Sequence, residues 1–287
     1  MPVSGKTRLL GIIGWPVSHS LSPLMQNAAL KELGLDYLYV PLPVAPEDLP
    51  AAIAGVRALN LAGCNVTIPH KEGVFALLDR LSPAAELAGA VNTICREGDE
   101  LVGYNTDGTG LLTALREDLS CEVAGKEVVL LGAGGAARGA VAALAQAGVS
   151  RITLVNRSRA RGEELAHAMA RHFSTVPFSV FTPDAEELDG VVASADLVIN
   201  SVPAAGCGEL LALLPLARTP HTALFYDMVY ASDPTPLILL ARKLGIDHAD
   251  GVGMLAAQGE EAFFLWTGQR PPAGFMKQIL LQALGRQ

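Results

Sequence analysis

From residue 126 onward the chain repeats one pattern: a short β-rich apolar run, a turn, then a longer helical run. The strand-like runs fall at 126–131, 151–155, 176–180, 196–200 and 223–227, and the helical ones at 135–147, 158–171, 184–193 and 235–244. Such alternation builds a parallel sheet covered by helices, because parallel strands need a crossover and the crossover must bury its apolar face. The first turn of the series is the most demanding. Gly132-Ala133-Gly134-Gly135-Ala136-Ala137 follows the apolar run Val128-Val129-Leu130-Leu131 and opens a helix. In that setting Gly132 permits a tight turn, Gly134 lets the backbone approach a pyrophosphate, and small Ala137 lets helix pack closely on strand. The helix start adds free N–H groups and the positive end of its dipole. The alternative is a Gly-rich turn that holds no nucleotide.

The end of the next strand bears on which dinucleotide is bound. NAD sites place Asp or Glu there, about 20 residues on, for the ribose 2′-hydroxyl. This chain has Asn156-Arg157-Ser158-Arg159-Ala160-Arg161, with no acid. A 2′-phosphate wants cations, and Arg offers a forked donor set, so the segment points to NADP. The alternative, arginines that only solvate a helix start, runs against the helix dipole.

The first hundred residues read as a second α/β region. Residues 9–13 and 37–42 read as strands, and 46–58 as a helix leading to an apolar strand at 60–66. Ser22-Pro23 reads as an N-cap followed by a first-turn proline, with Gly34 ending that helix; Ser82-Pro83 repeats the device. Residues 91–96 and 100–104 flank Glu97-Gly98-Asp99, a hairpin turn. After a helix at about 108–119 and the regular alternation, two helical runs, 254–267 and 272–285, close the chain and suggest a fold back onto the first region. Two strand ends here carry chemistry. Gly63-Cys64-Asn65-Val66-Thr67-Ile68-Pro69-His70-Lys71 turns from apolar to polar and delivers an ammonium, a group whose protonation responds readily to its surroundings. Gly14-Trp15-Pro16-Val17-Ser18-His19-Ser20-Leu21-Ser22-Pro23 gathers three hydroxyls and an imidazole before a helix start, a setting that suits a small carboxylate.

With 287 residues, half of them hydrophobic, the chain is long enough for two cored domains. Its net charge of −8 excludes diffuse attraction to nucleic acid or anionic membranes. Any anionic ligand must therefore be held by local devices. The four cysteines have no C-x-x-C spacing, so buried thiols in a reducing cytoplasm are expected rather than disulfides or a metal site. No apolar stretch approaches the ~18 residues of a membrane span, and the N-terminus lacks a signal pattern. Nothing selects between a monomer and a homodimer.

The ordered series of motifs resembles the shikimate dehydrogenase family across the whole chain. It comprises Gly14 to Pro23, Asn65-Val66-Thr67-x-Pro69-x-Lys71, Ala90-Val91-Asn92-Thr93 and Gly103-Tyr104-Asn105-Thr106-Asp107-Gly108. The glycine turn at 132, Asn156-Arg157, Tyr226-Asp227-Met228-Val229-Tyr230 and Gly251-Val252-Gly253-Met254-Leu255 with Gln258 complete it. The resemblance implies NADPH-dependent reduction of 3-dehydroshikimate to shikimate, in aromatic amino-acid (chorismate) biosynthesis. It implies a discontinuous substrate domain (1–107 plus 253–287) and a Rossmann-type NADP domain (108–252), separated by a cleft. Lys71 and Asp107 would form the catalytic pair. Ser20 and Ser22 would bind the substrate carboxylate; Thr67, Asn92 and Gln258, with Asp107, the ring hydroxyls; Tyr230 would close the pocket. Gly132, Ala133, Gly134, Gly135, Ala136, Asn156, Arg157, Ser158, Arg161, Met228 and Gly251 would hold the cofactor, and no metal is implied. The chain departs from the family pattern at Gln26, at Ser158 and at Val202 before Pro203, the last beside the expected cofactor loop. The rival readings are a quinate/shikimate dehydrogenase using NAD, a silent NADP and small-acid binder, a structural or interaction module, and a Lys71–Asp107 pair that is only structural.

Overall fold

A computed structural model describes residues 3–286 and divides them into two compact units. One comprises the residues up to Gly110 together with those from Leu255 on; the other is Leu111–Met254. The unit boundaries fall inside two helices, α4 (Asp107–Leu119) and α10 (Val252–Thr267).

The first unit is built on a six-stranded mixed sheet. In chain order its elements are β1 (Arg8–Gly14), α1 (Ser22–Glu32), β2 (Tyr37–Pro43), α2 (Leu49–Ala58), β3 (Gly63–Val66), β4 (Arg80–Leu81), α3 (Pro83–Ala88), β5 (Thr93–Glu97) and β6 (Glu100–Tyr104). The strands run in the order β2-β1-β3-β5-β6-β4. β1 lies between β2 and β3, parallel to both, and buries Leu10 to Gly14 as a continuous run, as a parallel strand covered on both faces must. β5 and β6 form the expected antiparallel hairpin, whose turn uses Gly98 at φ +64°. Ser82 caps α3 by accepting the Ala85 N–H at 3.3 Å, and Gly89 ends it in the left-handed region. Ser22 does not repeat this. It is the first residue of α1, and the N-cap position falls on Leu21, which has helical geometry and makes no side-chain capping bond. The proline therefore sits one position further in than the sequence suggests. A core of Ile13, Ile53, Val56, Cys64, Val66, Val91, Ile94 and Leu101 fills one face. The C-terminal helices belong to this unit: α11 (Phe275–Ala283) packs on α1, and Trp266 of α10 donates its indole N–H to Ile94 O at 2.9 Å.

The second unit is a Rossmann-type doubly wound sheet. Its elements are β7 (Glu127–Leu131), α5 (Gly135–Gln146), β8 (Arg151–Val155), α6 (Arg159–Ala170), β9 (Phe178–Phe181), α7 (Leu188–Ala193), β10 (Leu197–Asn200), α8 (Ala204–Leu213), β11 (Leu224–Asp227), α9 (Pro236–Leu244) and β12 (Asp247–Ala249). The strand order β12-β11-β10-β7-β8-β9 is parallel throughout and is the six-strand dinucleotide-binding order read from its far edge. Its switch point lies between the ends of β7 and β10, where Gly132 and Ser201 meet. All four cysteines are buried free thiols, and burial pushes Cys64 and Cys207 up to about 12, far from reactive.

Candidate active site

In the first unit the polar residues gather at the carboxyl ends of β1 and β3, where the strand order reverses. The two strand ends are zipped together beyond the sheet: Thr67 N–H donates to Ile13 O at 2.9 Å, and Trp15 N–H to Ile68 O at 3.0 Å. Gly14 is required there, because a Cβ would lie 2.4 Å from Thr67 Cγ2. The loop carrying Ser20 and Ser22 thus leaves the sheet beside the turn carrying Thr67 and Lys71. Ser20 Oγ accepts the Ser22 N–H at 3.2 Å, and Ser22 is buried at the start of α1.

Lys71 Nζ meets Asp107 Oδ2 at 2.6 Å, with side chains only 12% and 5% exposed. Asn92 organises the far side of the carboxylate. Its Nδ2 donates to Asp107 Oδ1 and to Thr106 Oγ1, both at 2.9 Å, and Gln258 Oε1 is 3.4 Å away. Its Oδ1 accepts from Thr106 N at 2.8 Å and Thr93 Oγ1 at 3.1 Å. Thr106 Oγ1 also donates to Gln258 O at 3.1 Å, which ties α10 to the pair's surroundings, while Gln258 Nε2 donates to Leu255 O of the same helix at 2.7 Å. Lys71, Asp107, Asn92 and Gln258 therefore form one cluster. An ammonium held by a buried carboxylate, itself hydrogen-bonded, is a group placed to give or take one proton.

Several members of this cluster had no assigned role from sequence. Asn105 Oδ1 accepts the Asp107 N–H, and Asn105 Nδ2 donates to Ala90 O. Asn65 donates to Asn92 O and Thr93 Oγ1, and its own Oδ1 accepts from Tyr39 OH at 2.7 Å. The available signal was Asn65 itself, a polar residue inside a four-residue strand that is buried throughout.

In the second unit Gly132 adopts φ +105°, and a Cβ on it would lie 2.5 Å from Ser201 Oγ. Gly134 is the N-cap of α5, and a Cβ there would meet nothing within 4 Å. Open space therefore lies over the helix N-terminus formed by Gly135 and Ala136, while Ala137 is fully buried against the sheet. Those features fit a pyrophosphate. Arg157 is exposed, with its guanidinium against Gly206 at the start of α8. Asn156 Nδ2 donates to Ser158 O, Ser158 Oγ caps α6 by accepting Arg161 N–H, and Arg159 pairs with Glu163 at 2.8 Å. Val202 packs on the apolar core and exchanges hydrogen bonds with the Asn200 side chain, so its departure leaves that loop anchored. Met228, Tyr230 and Gly251 follow the ends of β11 and β12. Gly251 is obligatory, because a Cβ would lie 2.2 Å from Met228 O. Buried Asp227, unassigned from sequence, organises this segment by accepting from Asn200 Nδ2, Val229 N and Thr235 Oγ1; burial pushes its carboxyl above the usual range. Among the described residues no cluster of three or more His, Cys, Asp or Glu side chains forms a metal site.

Residues 12–94 match the shikimate dehydrogenase substrate binding domain, residues 114–207 the shikimate/quinate 5-dehydrogenase domain, and residues 251–281 the shikimate 5′-dehydrogenase C-terminal domain. A shikimate dehydrogenase (NADP⁺) of Geobacter sulfurreducens is 54% identical over 99% of both chains. The chain belongs to the shikimate dehydrogenase family. Solved family members superimpose on it over nearly their full length. A shikimate dehydrogenase in complex with NADP⁺ is 37% identical with a TM-score of 0.87, over 99% of this chain and 98% of that one. The shikimate 5-dehydrogenase of Thermus thermophilus in complex with NADP(H) and shikimate is 34% identical with a TM-score of 0.83, over 96% and 100%. No helix among the described residues is long and apolar enough to cross a membrane.

Proposed function

We propose that this protein catalyses the reversible NADPH-dependent reduction of 3-dehydroshikimate to shikimate in the cytoplasm, as a step of aromatic amino-acid biosynthesis. The observation that carries the reading is the Lys71–Asp107 contact at 2.6 Å, set among Asn92, next to β5, and Gln258 of α10. In reduction Lys71 Nζ gives a proton to the developing alkoxide; in oxidation it takes the proton back. Asp107 Oδ2 holds the ammonium in place, and Asn92 keeps the carboxylate from turning away. Asn92, Thr67, Gln258 and Asp107 bind the ring hydroxyls. Ser20 and Ser22, with the start of α1, bind the carboxylate; the support is a buried Ser22 at the first position of that helix.

The region 1–107 with 253–287 is the substrate domain in this account, and 108–252 holds the cofactor. Gly132, Ala133, Gly134, Gly135 and Ala136 bind the pyrophosphate. Asn156, Arg157, Ser158 and Arg161 bind the 2′-phosphate, and Met228 and Gly251 complete the site. NADPH, when bound, supplies the hydride. The test is a four-way comparison of kcat/KM for shikimate and quinate with NADP⁺ and NAD⁺. The account expects shikimate with NADP⁺ to exceed every other pair by about tenfold or more, the effect of one lost charged contact. Equal or better turnover of quinate with NAD⁺ would overturn it.

A further inference from the structure

His70 is a buried titratable group that the proton-transfer scheme leaves without a task. Its side chain belongs to a residue only 2% exposed, and its Nε2 lies 2.7 Å from Val44 O. A carbonyl only accepts, so Nε2 carries a hydrogen and donates it. Val44, just past β2, also donates its own N–H to Gly14 O at 3.1 Å. One residue is therefore bonded on one side to the end of β1, from which the Ser20–Ser22 loop leaves, and on the other to the turn that delivers Lys71.

The backbone of that turn is held at several further points. His70 N–H donates to Thr67 O and Val74 N–H to His70 O, both at 2.9 Å. Lys71 O accepts the Val91 N–H at 2.8 Å, beside Asn92. Lys71 is thus fixed from two directions: through Val91 towards the Asn92 cluster, and through the His70 ring towards β2. A lysine ammonium rides on a flexible four-carbon stem, so its place is set by where the backbone is held. The ring adds a side-chain tie to these backbone contacts, and it sits one residue from the reacting group.

We infer that His70 is a positioning residue for Lys71: its buried ring, donating to Val44 O, fixes the turn so that Nζ meets Asp107 and the substrate oxygen together. The inference rests on the reading of Lys71 as the proton-transfer group. It does not make His70 a catalytic residue, because nothing requires the imidazole to touch substrate.

The test uses the full chain with shikimate and NADP⁺. His70→Leu and His70→Phe remove the donor and keep an apolar side chain; His70→Gln offers an amide Nε2 as a replacement donor. Each variant is checked for folding by circular dichroism before kinetics, and two donor-free variants guard against the failure of one to fold. The expected result is a fall in kcat of about 10–100-fold in the donor-free variants, the scale of a misplaced catalytic group. Kd values for shikimate and NADP⁺ should stay within about threefold, with most of kcat restored in His70→Gln. In a Lys71→Met background the same substitutions should change the residual rate by less than about twofold, because the group they act through is gone. Parental kcat in the donor-free variants would overturn the inference, and so would an equal loss in both backgrounds or no rescue by Gln. If the parent turns over and Lys71→Met does so about 10²–10⁴-fold more slowly, those results remove the role of His70 alone. A parent that does not oxidise shikimate removes the underlying reading, and the inference with it.

Discussion

Lys71→Met keeps the length of the side chain and removes its charge. Asp107, 5% exposed, then loses its 2.6 Å contact on Oδ2 but keeps Asn92 Nδ2 on Oδ1 at 2.9 Å. Removing one partner of a buried ion pair costs about 3–5 kcal/mol. The retained Asn92 donor and the partial exposure of Lys71 put this loss near the lower end, at about 3 kcal/mol. Asp107→Asn leaves the ammonium facing an amide and carries a similar loss. The double variant has neither charge, so its loss should fall short of the sum of the singles by about 1.5–3 kcal/mol, the worth of a charged hydrogen bond. The two tryptophans, Trp15 and Trp266, both belong to the unit that carries the pair, so urea unfolding followed by their fluorescence reads the right transition. Turnover is an independent readout: Lys71→Met should lower kcat by about 10²–10⁴-fold. Single-variant losses that add within about 0.5 kcal/mol would refute the pairing. A kcat within about tenfold of the parent would refute the proton-transfer role.

Three further outcomes follow from particular contacts. Gly63→Ala should cost about 3 kcal/mol or more in the same urea assay, because its Cβ would lie 2.3 Å from Trp266 Nε1 and 2.4 Å from Ile94 O; an unchanged midpoint would contradict the packing. Arg157→Ser should raise the Kd for NADP⁺ by about 10–100-fold by titration, while leaving NAD⁺ nearly unchanged, if the guanidinium meets the 2′-phosphate; equal weakening of both would remove that contact. The Leu101 N–H, followed by the Arg57 guanidinium, holds the Asp79 carboxyl below its ordinary value of 3.8. A folded-state value below the unfolded one gives stability that is present above the ordinary value and lost as pH falls below it. Asp79→Asn should therefore flatten the acid limb of the urea midpoint against pH; an identical limb would refute the linkage.

Much of this fold was legible because its strands are buried on both faces and so read as unbroken apolar runs. β7 and β10 are examples, each fixed by a turn residue or a buried end. α8 was not legible. Its sequence AAGCGELLAL holds two glycines, each unfavourable in a helix by about 1 kcal/mol. It is packed through Cys207, Leu210 and Leu211 into a core assembled from distant strands. The two- and three-residue strands β4 and β12 are too short to show a period. The Ser22 cap failed for a local reason, since Leu21 already has helical geometry and moves the helix start forward. In the site, Lys71 could be singled out from its own segment, because a strand ending in Thr-x-Pro-x-Lys announces itself. The Asn92 hub could not, because its partners lie 1, 14, 15 and 166 residues away, and only the folded chain brings them together.

The most direct measurement is the absorbance of NADPH at 340 nm after the purified, folded protein is mixed with 3-dehydroshikimate, with the product identified by NMR. The account predicts a loss of NADPH matched mole for mole by shikimate, at a rate that falls by about 10²–10⁴-fold in Lys71→Met. No loss of absorbance, or a product other than shikimate, would contradict it.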